Sequence, residues 1–145
     1  MKKRVRITLA VIGLIFFCYA DEWAADWNWE KCGRSKNGTT YYDTKGITLL
    51  PNGIVRVWGA EVYTAEGVQL NVQEFGQGYK DVASGVMRIE INCREKRMRV
   101  LSITSYSQAE IVIGSESTPN AQWEGILPDS IGEGFYILVC KESRP

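Results

Sequence analysis

The sequence predicts an α+β fold that is mainly β: an antiparallel meander packed against one C-terminal α-helix. Three observations point there. Met87, Ile89, Ile91 and Cys93 alternate with Arg88, Glu90 and Asn92, which is the period of a half-buried strand. Pro51-Asn52-Gly53 stands between two apolar runs, and Asn-Gly supplies the positive φ angles that hairpin turns demand. After Pro128-Asp129-Ser130, the residues Ile131, Phe135, Leu138 and Val139 recur at helical spacing, with Asp129 or Ser130 as N-cap.

Before any of these elements comes an export signal over residues 1–20. Lys2, Lys3, Arg4 and Arg6 form a basic head, Ile7 to Phe17 an apolar run, and Ala20 a small-residue cleavage site before Asp21. The run is too short to span a bilayer, which takes about 20 apolar residues. Cys18 raises the rival of a lipidated cysteine, against which stand the bulky Phe16 and Phe17 just before it. Cleavage removes four basic residues and no acidic ones. The mature chain then holds 13 Lys+Arg against 17 Asp+Glu, a balance that argues against nucleic acid and polybasic membrane binding.

Residues 21–28 form a Trp-rich lead, 29–141 one domain, and 142–145 a polar tail. Thr39 to Tyr42 reads as a strand, ended by Asp43-Thr44-Lys45-Gly46; Ile47 to Leu50 is a second, short one. Ile54 to Tyr63 is the third, with Ile54, Trp58, Ala60 and Val62 on one face and Val55, Val57 and Tyr63 on the other. Glu66 to Phe75 fits a strand or a frayed helix, broken by Gly76-Gln77-Gly78. The Val86–Cys93 strand turns at Arg94-Glu95-Lys96 into Arg97 to Tyr106, whose Met98, Val100 and Tyr106 share a face. Glu110 to Ile113 is a last short strand, and Gly132 and Gly134 weaken the helix after it.

Cleavage leaves Cys32, Cys93 and Cys140, and an oxidising compartment would pair two of them. Spacing alone permits all three pairings. A bond from Cys93 to Cys140 would fix the helix end to the strand. The unpaired cysteine is then buried, or links two copies into a homodimer.

The chain contains no histidine, which removes the commonest general base and every Ser-His or Cys-His pair. Acid pairs such as Glu61 with Glu66, or Glu90 with Glu95, read better as solvated strand and turn positions. No metal-ligand spacing, phosphate loop or nucleophile elbow is present, so neither cofactor nor metal is expected.

The order Tyr41-Tyr42-Asp43, Ile47, Ile54-Val55-Arg56-Val57-Trp58 resembles the opening of the surface-adhesin protein E-like family. Asn92-Cys93, Arg97 to Ser102, Tyr106, Trp123-x-x-Ile126-x-Pro128-x-Ser130 and Val139-Cys140 resemble its second half. The resemblance implies a curved antiparallel sheet against a C-terminal helix, a Cys93–Cys140 bond, and Trp58 and Trp123 in the core. One departure is that Ala109-Glu110 stand where that family carries a glycine after the strand at Tyr106.

Fold transfers between relatives more readily than function. The residues therefore suggest a non-enzymatic binding module for a protein or peptide, exported to the periplasm or outer-membrane surface of a Gram-negative bacterium. Trp23, Trp27, Tyr41 and Tyr42 are its candidate binding surface, because exposed Trp and Tyr anchor interfaces. Tyr41 and Tyr42 face opposite ways along their strand, so one of the two should be exposed. The alternative is a structural envelope component that self-associates without a separate ligand.

Overall fold

A computed structural model describes residues 27–142 of the protein. The export signal, Cys18, the Ala20–Asp21 junction, Trp23 and the tail after Glu142 lie outside the described residues.

Among the described residues, eight strands and two α-helices follow one another: β1 (Trp29–Arg34), β2 (Gly38–Asp43), β3 (Thr48–Leu50), β4 (Ile54–Tyr63), α1 (Ala65–Phe75), β5 (Val82–Asn92), β6 (Arg97–Ser107), β7 (Val112–Ser117), β8 (Glu124–Gly125) and α2 (Ile131–Glu142). All pairings are antiparallel, in the order β1-β2-β4-β5-β6-β7, with β3 added to β4 and β8 to β6. The meander and its C-terminal helix are as the sequence suggests. The sheet is open: its outer strands β1 and β7 do not pair, and α2 contacts chiefly β1 and β4.

Local chemistry explains the turns. Asn52 and Gly53 adopt φ of 66° and 74° between β3 and β4, as the Asn-Gly signal requires. In the β5–β6 turn the Asn92 carboxamide oxygen accepts from the amides of Arg94 and Glu95. The segment read as strand or frayed helix is a helix, α1. Thr64 caps it by accepting from Gly67 N at 3.2 Å, and Gly76 ends it at a φ of 95°. Gly67 fits there because its bare Cα lies against the Asn37 carbonyl, where a Cβ would sit 2.0 Å from the oxygen.

The core lies on one face. Tyr42, Val55, Val57, Ile89 and Ile91 of the sheet meet Phe135, Val139 and Cys140 of α2. Gly59 leaves room for the Phe135 ring, which a Cβ would meet at 3.0 Å. Ser130 caps the start of α2: its hydroxyl accepts from Glu133 N at 3.1 Å, and the Glu133 carboxylate reaches back to accept from Asp129 N at 2.7 Å. Cys93 and Cys140 are bonded, with Cα atoms 5.7 Å apart, so the last turn of α2 is tied to the end of β5.

Two face assignments need correction. A bulge leaves Leu101 unpaired between Arg88↔Ser102 and Ile89↔Val100, so Met98 and Val100 stay in register with Ile91 and Ile89 while Tyr106, opposite Ser84, lies on the other face. On the core side, Met98 packs on the core and Val100 is exposed. Trp58 and Trp123 are half-buried and lie outside the core cluster. Trp58 alternates with Val57, so it points away from α2, and Trp123 lies against Arg99.

Candidate binding face

The face opposite α2 carries the unusual chemistry. On β4 it presents Arg56, Trp58, Ala60 and Val62, and in register with them on β5 stand Glu90, Arg88, Val86 and Ser84. Tyr41 of β2 faces Ala60, and Lys31 of β1 faces Tyr41.

An aromatic cluster occupies one side. Trp27 stacks on Trp29 with centroids 5.1 Å apart and meets Trp58 edge-on at 5.7 Å. The lead is held down by Asn28, whose amide donates to the Asp43 carboxylate at 2.9 Å and whose carbonyl accepts from Thr44 N at 3.0 Å. Between Trp29, Tyr41, Ala60, Val62, Ser84 and Val86 lies an open, mostly apolar hollow of about 340 Å³. Val62 is half exposed within it.

Beside the aromatics sits a charged cleft of about 290 Å³, which includes Arg56, Arg88, Glu90, Arg99, Ser102 and Ser117. Glu90 is only 2% exposed. It accepts from Arg56 Nε at 2.9 Å and from Arg99 Nε at 2.9 Å, with Arg99 Nη2 a further 2.7 Å contact. Burial alone would raise its pKa, but the hydrogen bonds and charges of the two guanidiniums outweigh it and hold the carboxyl below its ordinary value. Arg99 also donates to the Ala121 carbonyl and lies 4.4 Å from the Trp123 ring centroid. Arg88 lies 5.3 Å from that of Trp58.

The structure brings together Trp27, Tyr41 and, unforeseen as partners, Trp29 and Trp58. It separates Tyr42, which is 1% exposed and belongs to the core. Opposite Gly59, its ring points toward α2, so it is no part of a binding surface. The proposed acid pairs engage other groups. Glu90 binds two arginines, Glu95 lies 4.0 Å from Arg97, and Glu66 is exposed in the first turn of α1. Glu61 is half-buried and its pKa is raised by desolvation. Cys32 is a half-buried free thiol whose sulfur would touch a Cβ at Gly134, and burial pushes its pKa up to about 11. A larger hollow of about 680 Å³ between residues 78–83 and 107–113 is open, and its charged residues Lys80 and Asp81 are exposed.

Among the described residues no group of three His, Cys, Asp or Glu could hold a metal, and no helix is long and apolar enough to cross a membrane. An open sheet with a disulfide-tied helix on one face and clustered aromatics on the other defines a small β-rich domain. The chain belongs to the surface-adhesin protein E family, whose model matches residues 29–141. No curated protein matches the chain as a relative.

Proposed function

We propose that the protein is an exported, non-enzymatic binding module of a Gram-negative envelope that recognises a protein or peptide partner. Export uses the signal over residues 1–20, with cleavage between Ala20 and Asp21, and delivers the domain to the periplasm or the outer-membrane surface. Membership of the surface-adhesin family supports this reading. The observation that carries it is the convergence of Trp27, Trp29, Tyr41 and Trp58 on the face that α2 leaves uncovered. Aromatic side chains supply much of the energy of protein interfaces.

One observation favours the self-associating alternative: the edge strand β7 and its approach expose Ile111 and Val112, a template for strand addition. Size-exclusion of the mature chain, alongside capture from envelope extract with and without Trp27→Ala, separates the two. A partner retained by the wild type and lost by the variant is the expected result. A stable oligomer without any captured partner overturns the reading. Intact mass of the exported product should correspond to a chain starting at Asp21; a diacylated chain starting at Cys18 would refute the cleavage site.

A further inference from the structure

We propose that the arginine cleft seats the carboxylate of an acidic side chain on an extended peptide, an inference that rests on the binding-module reading above. Three guanidiniums face one carboxylate in the cleft, which leaves two positive charges uncompensated there. Glu90 does not exhaust them. It engages Arg56 and Arg99 and fixes both in place, but the Arg88 guanidinium makes no ion pair among the described residues and lies against Trp58. A guanidinium without an anionic partner at the edge of a cleft is open to a carboxylate. Arginine forks match carboxylate geometry, and stacking of Arg88 on Trp58 and of Arg99 on Trp123 holds two of them ready.

Charge and layout select the ligand class. The mature chain carries more acidic than basic residues, so its net charge disfavours a long polyanion. A single carboxylate is disfavoured far less. Along the same face of β4 the cleft residue Arg56 is followed by Trp58 and then Ala60, which lines the apolar hollow. Four residues of strand span roughly 13 Å. A ligand in extended conformation that carries Asp or Glu, and an apolar side chain four positions away, places both on the same side and reaches both hollows.

The test uses the mature chain and two capped pentapeptides, acetyl-Glu-Thr-Ser-Thr-Phe-amide and its Gln counterpart, titrated by NMR to about 10 mM to cover the millimolar range. The Glu peptide should bind about tenfold more tightly, a factor that about 0.3 M salt reduces. Arg88→Gln should remove the preference, and Arg88→Lys should restore part of it. The salt arm on the wild type stands even where a variant folds poorly. Equal binding of the two peptides, no shifts with either, or a preference that survives Arg88→Gln overturns the proposal. So does an Arg88-dependent response to a sulfated polysaccharide with none to the Glu peptide. Partner capture that depends on Trp27 but not on Arg88 would sink the carboxylate site while leaving the binding face intact.

Discussion

Replacing Cys93 and Cys140 together by alanine tests how α2 is held. Alanine is chosen because Cys140 is 4% exposed, and serine there would bury a hydroxyl in the core. The bond closes a loop with a sequence separation of 47. In the chain-entropy model a loop of that size restricts the unfolded chain by about 4 kcal/mol. Measured losses fall short of the model when the reduced chain retains structure, so a loss of roughly 2–4 kcal/mol is expected in denaturant unfolding. The loss should not be spread evenly. Phe135 and Val139 still anchor the middle of α2, and the Ser130 cap and the Glu133–Asp129 bond still hold its start. The C-terminal turn loses its only covalent tie, while the strands keep their ladders. Amide exchange followed by mass spectrometry should therefore rise first across residues 136–142 and least across β4 and β5. A stability loss below about 1 kcal/mol, or equal acceleration in β5 and α2, would refute the reasoning. A Cys32-linked peptide in a non-reducing tryptic map would refute it more directly.

Glu90→Gln should cost roughly 1–3 kcal/mol at neutral pH, less than a fully buried pair because Arg56 and Arg99 are partly exposed. Because the folded pKa of Glu90 is depressed, its contribution is complete above the unfolded value of about 4.3 and fades as pH falls through the folded one. The gap between variant and wild type in urea melts should narrow on acidification; a constant gap would contradict the assignment. Glu110→Gly should raise stability by roughly 1 kcal/mol, because Glu110 holds φ at 61° in the β6–β7 turn; an unchanged or lower melting temperature would exclude strain there. The Cys32 thiol should react with a neutral disulfide reagent far more slowly than a free cysteine peptide at pH 8, as burial keeps it protonated. Fast labelling, or a reducible dimer band on non-reducing gels that Cys32→Ser abolishes, would show that it is accessible.

Much of the scaffold was legible because its signals are local. The alternation of β5, the Asn52–Gly53 turn and the Ser130 cap each depend on neighbours in sequence. The pairing of Cys93 with Cys140 came from family resemblance, since spacing left three choices open. Strand β1 escaped notice because Lys31-Cys32-Gly33 has no alternation; pairing with β2, across a bulge, makes it a strand. Helix α1 was ambiguous because so much of it is exposed that no apolar stripe stands out. The site was least legible. Alternation puts Glu90 on the polar side of β5, and from sequence that side reads as solvent. Only the register Arg56↔Glu90↔Arg99 shows two arginines closing over it. The same limit applies to Trp58, whose neighbours Trp27 and Arg88 come from distant parts of the chain.

The contact between β1 and α2 has a consequence for timing. Cys32 and Gly33 on the first strand lie against Gly134 and Ile131 on the last helix, so the earliest and latest described elements complete one another. A chain delivered amino end first, from a ribosome or a secretion channel, can zip β4, β5 and β6 as successive hairpins while still emerging. It cannot seal β1 until α2 arrives. During that interval the apolar face of the sheet is uncovered and Cys93 waits for its partner. Cys32, the first of the three cysteines to emerge, is then an available wrong partner. Slowing release after Gly125 should thus increase misbridged Cys32–Cys93 species, and an oxidant added only after release should suppress them.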